Sequence, residues 1–169
     1  MSPAPIVPLP SHQRLEEVLD YDPITGVFRW KMSRRNAPAG KVAGFITLHG
    51  YRSISIDNVQ YRAARLAYAI VYGEDPPEYV DHINGDRADD RIANLRAATP
   101  AENCRNCCIP AHNKSGIKGV SLRRKNQRWV AQIRVNRRNI TIGEYKTIDE
   151  AADAYREASS RYHGEFGRC

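Results

Sequence analysis

Residues 79–106 read YVDHINGDRADDRIANLRAATPAENCRN, and the reading of this stretch decides the fold. An Asp-His pair, Asp81-His82, is followed by Asn94 twelve residues after the histidine and by Asn103 nine residues further on. A neutral imidazole can take a proton from water near pH 7. One carboxylate and one amide oxygen are hard donors of the kind Mg2+ accepts while it keeps most of its waters. Asn94 is a candidate to orient the histidine ring through its amide. These are parts that phosphodiester hydrolysis needs: an activated water, a cation for the charge that builds on phosphorus, and help for the departing 3′ oxygen. Spacing alone does not separate this reading from a structural Asp-His contact.

Tyr79-Val80 enters the stretch as a strand end. The acidic loop 84–90 lacks the alternate ligands and terminal glutamate of a calcium loop, so Asp86, Asp89 and Asp90 are expected to cap and solvate it. Residues 91–96 read as a short connection. Thr99 and Glu102 form a capping box for a helix, and Asn103 sits within that helix without a propensity reason to be there. Upstream, residues 62–72 (RAARLAYAIVY) predict a helix with Ala63, Leu66, Ala67, Ile70 and Val71 on one face, stopped by Gly73. Strand-like runs between residues 27 and 61, turning at His49-Gly50 and Asp57-Asn58, predict one small antiparallel sheet. Ser11 caps a short helix over 11–20, and residues 22–26 are turn chemistry. The first ten residues hold four prolines and no basic residue, which predicts a disordered arm rather than a signal peptide.

Downstream, 109–116 reads as a linker. Strands are expected over 117–123, 127–135 and 139–144, then a helix opened by Thr147 with Glu150 and ending near His163-Gly164. Along the second strand, Trp129, Ala131, Ile133 and Val135 should pack on the apolar stripe of that helix (Ile148, Ala151, Ala152, Tyr155, Ala158, Tyr162). Arg128, Val130, Gln132 and Arg134 should face out.

Charge follows this division. The net charge is +7, yet residues 1–112 carry 13 Lys/Arg against 13 Asp/Glu, while 113–169 carry 13 against 6. Nine basic residues and no acid lie between Lys114 and Arg138, the footprint of a polyanion binder. No run approaches the length of a membrane helix. Cys104-x-x-Cys107 has half of a zinc-site spacing, with only His112 and Cys169 to complete it, so a structural Zn2+ is not expected. No H-E-x-x-H metalloprotease motif is present.

The run V-D-H-I-N-G-D, followed by N-L-R and N-x-x-N, resembles the HNH endonuclease family, in particular the phage and intron-encoded homing endonucleases with a ββα-metal fold. The resemblance extends upstream through Tyr61-Arg62 and Arg65-Leu66-Ala67 to Tyr72-Gly73. Relatives often carry a histidine where this chain has Ala64. The resemblance implies that His82 is the general base, positioned by Asn94, and that Asp81 and Asn103 hold one Mg2+ or Mn2+ per active site.

Gly119-Val120, R-W-V-A-Q-I-R, I-T-I-G, T-x-x-E-A-A-x-A-Y and H-G-E, over residues 115–166, resemble the ethylene-response-factor DNA-binding domain of plants. In that family the sheet lies in the major groove. The positions matching its contact residues are Lys118, Arg123, Gln132, Arg134 and Thr141. Phosphate contacts are expected from Lys118, Arg123, Arg124, Lys125, Arg128, Arg137 and Arg138. Asn139 and Thr141 replace the usual Arg and Trp, and Gln132 replaces an acid, so the plant target sequence is not implied.

The expected fold is α+β. A small antiparallel N-terminal sheet and helix lead into a ββα-metal nuclease module, followed by a three-stranded antiparallel sheet on one C-terminal helix. Boundaries are expected at 1–10 (arm), 11–108 (nuclease), 109–116 (linker) and 117–167 (DNA-binding module). The expected activity is metal-dependent cleavage of double-stranded DNA, by nicking or homing, with no small-molecule substrate, no membrane and a monomeric state. The expected setting is the cytoplasm of a bacterial host, with the gene carried by a phage or mobile element. The alternatives are a DNA-binding regulator with an idle nuclease fold and an RNA-binding protein. The lack of exposed aromatics on the sheet disfavours the latter.

Overall fold

The computed structural model describes residues 7–34, 37–76, 79–106, 109 and 113–167. The chain forms two compact units, residues 1–103 and 104–169. Expectations for residues 1–6, Cys107, Cys108, His112 and Cys169 lie outside the described residues.

The first unit opens with α1 (His12–Val18), whose cap Ser11 accepts a hydrogen bond from the Arg14 amide at 3.2 Å. The helix ends two residues short of the expected span. Residues 19–22 instead become strand β1 (Leu19–Asp22), paired antiparallel with β2 (Val27–Trp30). A second sheet has the order β3 (Phe45–Ile46), β4 (Arg52–Ile56), β5 (Val59–Arg62). The single sheet expected over 27–61 is therefore two, because the described residues between 31 and 44 leave the strand conformation except for isolated bridges such as Arg29–Val42. Asp57 and Asn58 both take positive φ, the requirement of a tight turn that matches strand twist.

Helix α2 (Ala63–Tyr72) ends where Gly73 turns left-handed and donates its amide to Ala69 O. It buries Ala63, Ala64, Leu66, Ala67 and Ala69, whereas Val71, expected on the buried face, is exposed. Small residues let the helix lie close to its neighbours α1, β4 and β5. The core of the unit gathers Leu15, Val18, Phe28, Ile54, Ile56 and Leu66, each essentially inaccessible to solvent. Burial of side chains of this size contributes roughly 1.5–3 kcal/mol each.

The decisive stretch folds as a hairpin followed by a helix. Strand β6 (Tyr79–His82) pairs antiparallel with β7 (Leu95–Ala98) in the register Asp81–Arg96 and His82–Leu95. A single 3-10 turn, Ile92–Asn94, precedes β7. The strand replaces the short connection expected there: LRAA lacks strand propensity, but pairing with β6 satisfies its backbone groups. Helix α3 (Pro100–Arg105) follows, with its capping box formed between Thr99 and Glu102.

The second unit has the sheet order β10 (Arg138–Tyr145), β9 (Arg128–Val135), β8 (Val120–Arg123), with α4 (Ile148–His163) packed on all three strands. The Thr147/Glu150 capping box is present in full. Ala131, Ile133, Val120, Ala151, Tyr155 and Ala158 form the core. Gly119 makes close packing possible: at φ +71 a Cβ there would come within 2.1 Å of the Tyr155 ring. Val130, expected on the outer face, is buried. It lies on the central strand, directly between Ser121 and Glu144. Tyr162, expected in the apolar stripe, is exposed.

Candidate active site and nucleic-acid interface

His82 is the last residue of β6 and is almost fully buried. Its Nε2 lies 3.3 Å from Oδ1 of Asp90, itself only 2% exposed. Arg52 Nε, from β4, stands 3.6 Å from the other Asp90 oxygen, an ion-pair distance rather than a hydrogen bond. Burial pushes the Asp90 carboxyl above the usual carboxylate range, while His82 and Arg52 pull it back. The N-terminal hairpin forms the wall behind this residue. Tyr21 Oη donates to Asp90 O at 2.7 Å, and Ile92 N donates to Pro23 O at 3.2 Å. Gly26, at φ +72, allows the approach: a Cβ there would meet the Arg91 nitrogen at 2.5 Å.

Asn94 is buried in the 3-10 turn and grips the loop that follows His82. Its Oδ1 accepts the Asn84 amide at 3.0 Å, and its Nδ2 donates to Asp89 O at 2.8 Å. Its own carbonyl accepts the Ile83 amide at 2.9 Å. The route expected for this residue was the imidazole itself. The structure places its amide on the backbone of the adjoining loop, which fixes where the chain leaves His82. Within the loop, Asp86 accepts the Ala88 amide, and Asp89 pairs with Arg91, which holds its carboxyl down to about 2. These two carboxylates cap and solvate the loop as expected. Asp90 does not; it is turned inward.

Asp81, beside His82 in sequence, points to the other side of the hairpin, as successive strand residues must. Its Oδ2 accepts from Arg96 Nε at 3.0 Å and Nη2 at 2.9 Å, with both side chains largely buried. Arg96 is the cross-strand partner of Asp81 in the hairpin register. Asn103 lies one turn into α3, its amide bonded to Thr99 O at 3.0 Å. Among the described residues no group of three or more His, Cys, Asp or Glu could hold a metal ion. The expected pair, one carboxylate and one amide oxygen, is a sparser set, and its donor chemistry fits a hard divalent cation that keeps its waters. The Arg96 guanidinium already engages Asp81, so a divalent cation there would share the carboxylate with it.

In the second unit Gln132 and Arg134 project from the exposed face of β9. Gln132 Nε2 donates to Thr141 Oγ1 at 3.2 Å, directly across the register. Arg124 and Lys125 lie exposed in the β8–β9 turn, and Arg128 is half-buried at the start of β9. Arg137 and Arg138 lie at the β9–β10 turn, where Asn136 and Arg137 both take positive φ. Two of the expected phosphate contacts are also engaged within the chain. Arg123 forms an ion pair with Glu144, which also accepts from Asn126 Nδ2 at 2.9 Å. Lys118 Nζ donates to Arg105 O.

Sequence reasoning missed the roles of Asp90, Arg52 and Arg96. Arg96 could have been found from pairing, because a β6–β7 hairpin centred on the loop puts it opposite Asp81. Asp90 carries no such signal, since it stands beside Asp89 in a polar loop with no period.

Asn94→Ala removes two loop hydrogen bonds, each worth about 1 kcal/mol. We expect urea midpoints to fall accordingly and the Asn84 amide to lose hydrogen-exchange protection, with the rest of the first unit unchanged.

Residues 61–105 match the family model HNH endonuclease, and residues 115–165 match the model AP2 domain. The chain is 32% identical over 90 residues to Protein 3.8 of Escherichia phage T7, covering 53% of this chain and 74% of that protein. It is 27% identical over 150 residues to "Uncharacterized HNH endonuclease L560" of Acanthamoeba polyphaga mimivirus, covering 88% of this chain and 70% of that protein. No solved structure matches. The β6–β7 hairpin and α3 fall within the first match and the three-stranded sheet and α4 within the second, and the chain accordingly belongs to the HNH endonuclease family and joins that nuclease module to an AP2 domain.

Proposed function

We propose that the protein is a metal-dependent endonuclease that cuts double-stranded DNA, as a nicking or homing enzyme, with His82 as general base. The observation that carries this reading is the buried His82–Asp90 contact at the end of β6. A carboxylate that accepts from Nε2–H leaves the imidazole lone pair on Nδ1 and holds the ring in place. The base takes a proton from water. The resulting hydroxide attacks phosphorus, the bond to the 3′ oxygen breaks, and that oxygen leaves and is protonated. The products carry 5′ phosphate and 3′ hydroxyl ends. One Mg2+ or Mn2+, held by Asp81 and Asn103, supplies positive charge for the phosphoryl oxygens and the leaving oxygen when bound. Arg96 holds the Asp81 carboxylate in orientation, and Asn94 keeps the loop closed around the base.

The sheet of the second unit supplies affinity and part of the specificity. Gln132, Arg134 and Thr141 are the proposed base-reading residues in the major groove. Lys118, Arg123, Arg124, Lys125, Arg128, Arg137 and Arg138 are the proposed phosphate contacts. The nuclease module runs over 11–108 and the DNA-binding module over 117–167, joined by 109–116, with 1–10 as an arm. The protein acts as a monomer in the cytoplasm of a bacterial host cell, from a phage or mobile-element gene. Among the described residues no helix is long and apolar enough to cross a membrane.

Supercoiled plasmid incubated with the purified chain should be converted to nicked or linear circles with Mg2+ and not with EDTA, and His82→Ala should lower the rate at least about 100-fold, the scale of a general base. Retained DNA binding with no cutting on any DNA would leave a regulator, and equal cutting by the variant would refute His82 as the base. In binding selections, Gln132→Ala should relax preference at one base position and cost about 1–3 kcal/mol, whereas Arg137→Gln should weaken all sequences alike and lower the salt slope by about one.

A further inference from the structure

Tyr51 precedes β4 and follows the turn at His49-Gly50. Its ring centroid is 6.1 Å from that of His82. Two guanidiniums stand over this one ring: Arg62 at 3.9 Å and Arg87 at 4.9 Å from the centroid. They arrive from separate elements, Arg62 from the end of β5 and Arg87 from the loop between β6 and β7. Arg87 is fixed a second time, by Nη1 donating to His49 O at 3.0 Å. Both arginines are exposed. Among the described residues, the arginine ion pairs of this unit are made by Arg14, Arg52, Arg91 and Arg96, and neither Arg62 nor Arg87 has a carboxylate partner.

Two like charges brought to one ring without a counter-charge are what an anion site requires. The ring quadrupole attracts each guanidinium without using up its N–H donors, which stay available to an anion apart from the one Arg87 gives to His49. A planar fork held in this way matches phosphate oxygens and loses little further freedom on binding. A stack that served only to solvate the surface would need neither the second arginine nor the position beside the buried histidine.

We propose that Arg62 and Arg87, held over the Tyr51 ring, form a phosphate clamp that holds the DNA backbone beside His82. The nuclease unit then grips its substrate through its own sequence-independent site, in addition to the sheet of the second unit. The position of the clamp rests on the reading of His82 as the catalytic base.

The test uses the full chain and Arg62→Gln, Arg87→Gln and the double variant, with thermal melts to establish that each is folded. Binding to a short fluorescent duplex is measured in EDTA across a salt series, and plasmid cleavage is measured in Mg2+. The double variant should bind at least about tenfold more weakly near physiological salt, and the slope of log affinity against log salt should fall by about two. KM for plasmid should rise about tenfold, with a smaller change in kcat. An unchanged salt slope in a folded double variant overturns the clamp. A reduced slope with unchanged KM overturns its place beside His82. If the wild type binds steeply with salt yet cuts nothing, the nuclease reading fails while the slope still decides the clamp; if it binds no duplex even at low salt, both fail.

Discussion

The buried contact between His82 and Asp90 is the constraint on which the nuclease unit depends. A carboxylate taken out of water costs several kcal/mol unless charge and hydrogen bonds offset it. Asp90 meets that requirement in part, with the His82 ring on one oxygen and Arg52 at ion-pair distance from the other, and the Tyr21 hydroxyl fixes its carbonyl. Much of the unit follows from delivering those partners. Strand β4 brings Arg52, the β1–β2 hairpin brings Tyr21 and closes through Gly26 onto the Asp90–Arg91 backbone, and β6 ends on the histidine. The segment before residue 79 thus builds the surroundings in which the imidazole is held.

The two faces of β6 divide the chemistry. Asp81 and His82 are neighbours in sequence, so the strand sends them to opposite sides: the carboxylate toward Arg96 and the ring toward Asp90. Each side chain thereby gains a partner of its own. The second unit uses acids in a related way. Glu144 stands on a strongly basic sheet and pins Arg123, and Thr141 accepts from Gln132. In the proposed DNA-binding role, side chains already tied in place would lose less freedom on contact, which favours specificity over bulk attraction.

Much of this was legible in the sequence because local chemistry and tertiary structure agree. The capping boxes at Thr99/Glu102 and Thr147/Glu150, the stop at Gly73 and the turn at 57–58 all form where their residue types demand. The readings that failed are those in which tertiary contacts outweigh local pattern. Leu95–Ala98 becomes a strand only through its partner β6. Leu19 and Asp20 leave the expected helix to pair with Trp30 and Arg29. Val130 is buried because strands flank it on both sides, a fact of sheet order that alternation cannot carry. Asp90 was illegible for the same reason: adjacent aspartates in an aperiodic loop look alike, and only the fold sends one to Arg91 at the surface and the other inward.

The account is tested most directly by the ring tautomer of His82, read from its nitrogen chemical shifts in the histidine-labelled full chain above the imidazole titration range, with His82→Gln used for assignment. The Asp90 carboxylate at Nε2 predicts that the proton resides on Nε2, that it exchanges slowly, and that Asp90→Asn disturbs both properties. A ring protonated on Nδ1, or one that averages between the two forms as free imidazole does, would contradict the claim that Asp90 holds His82 as the base.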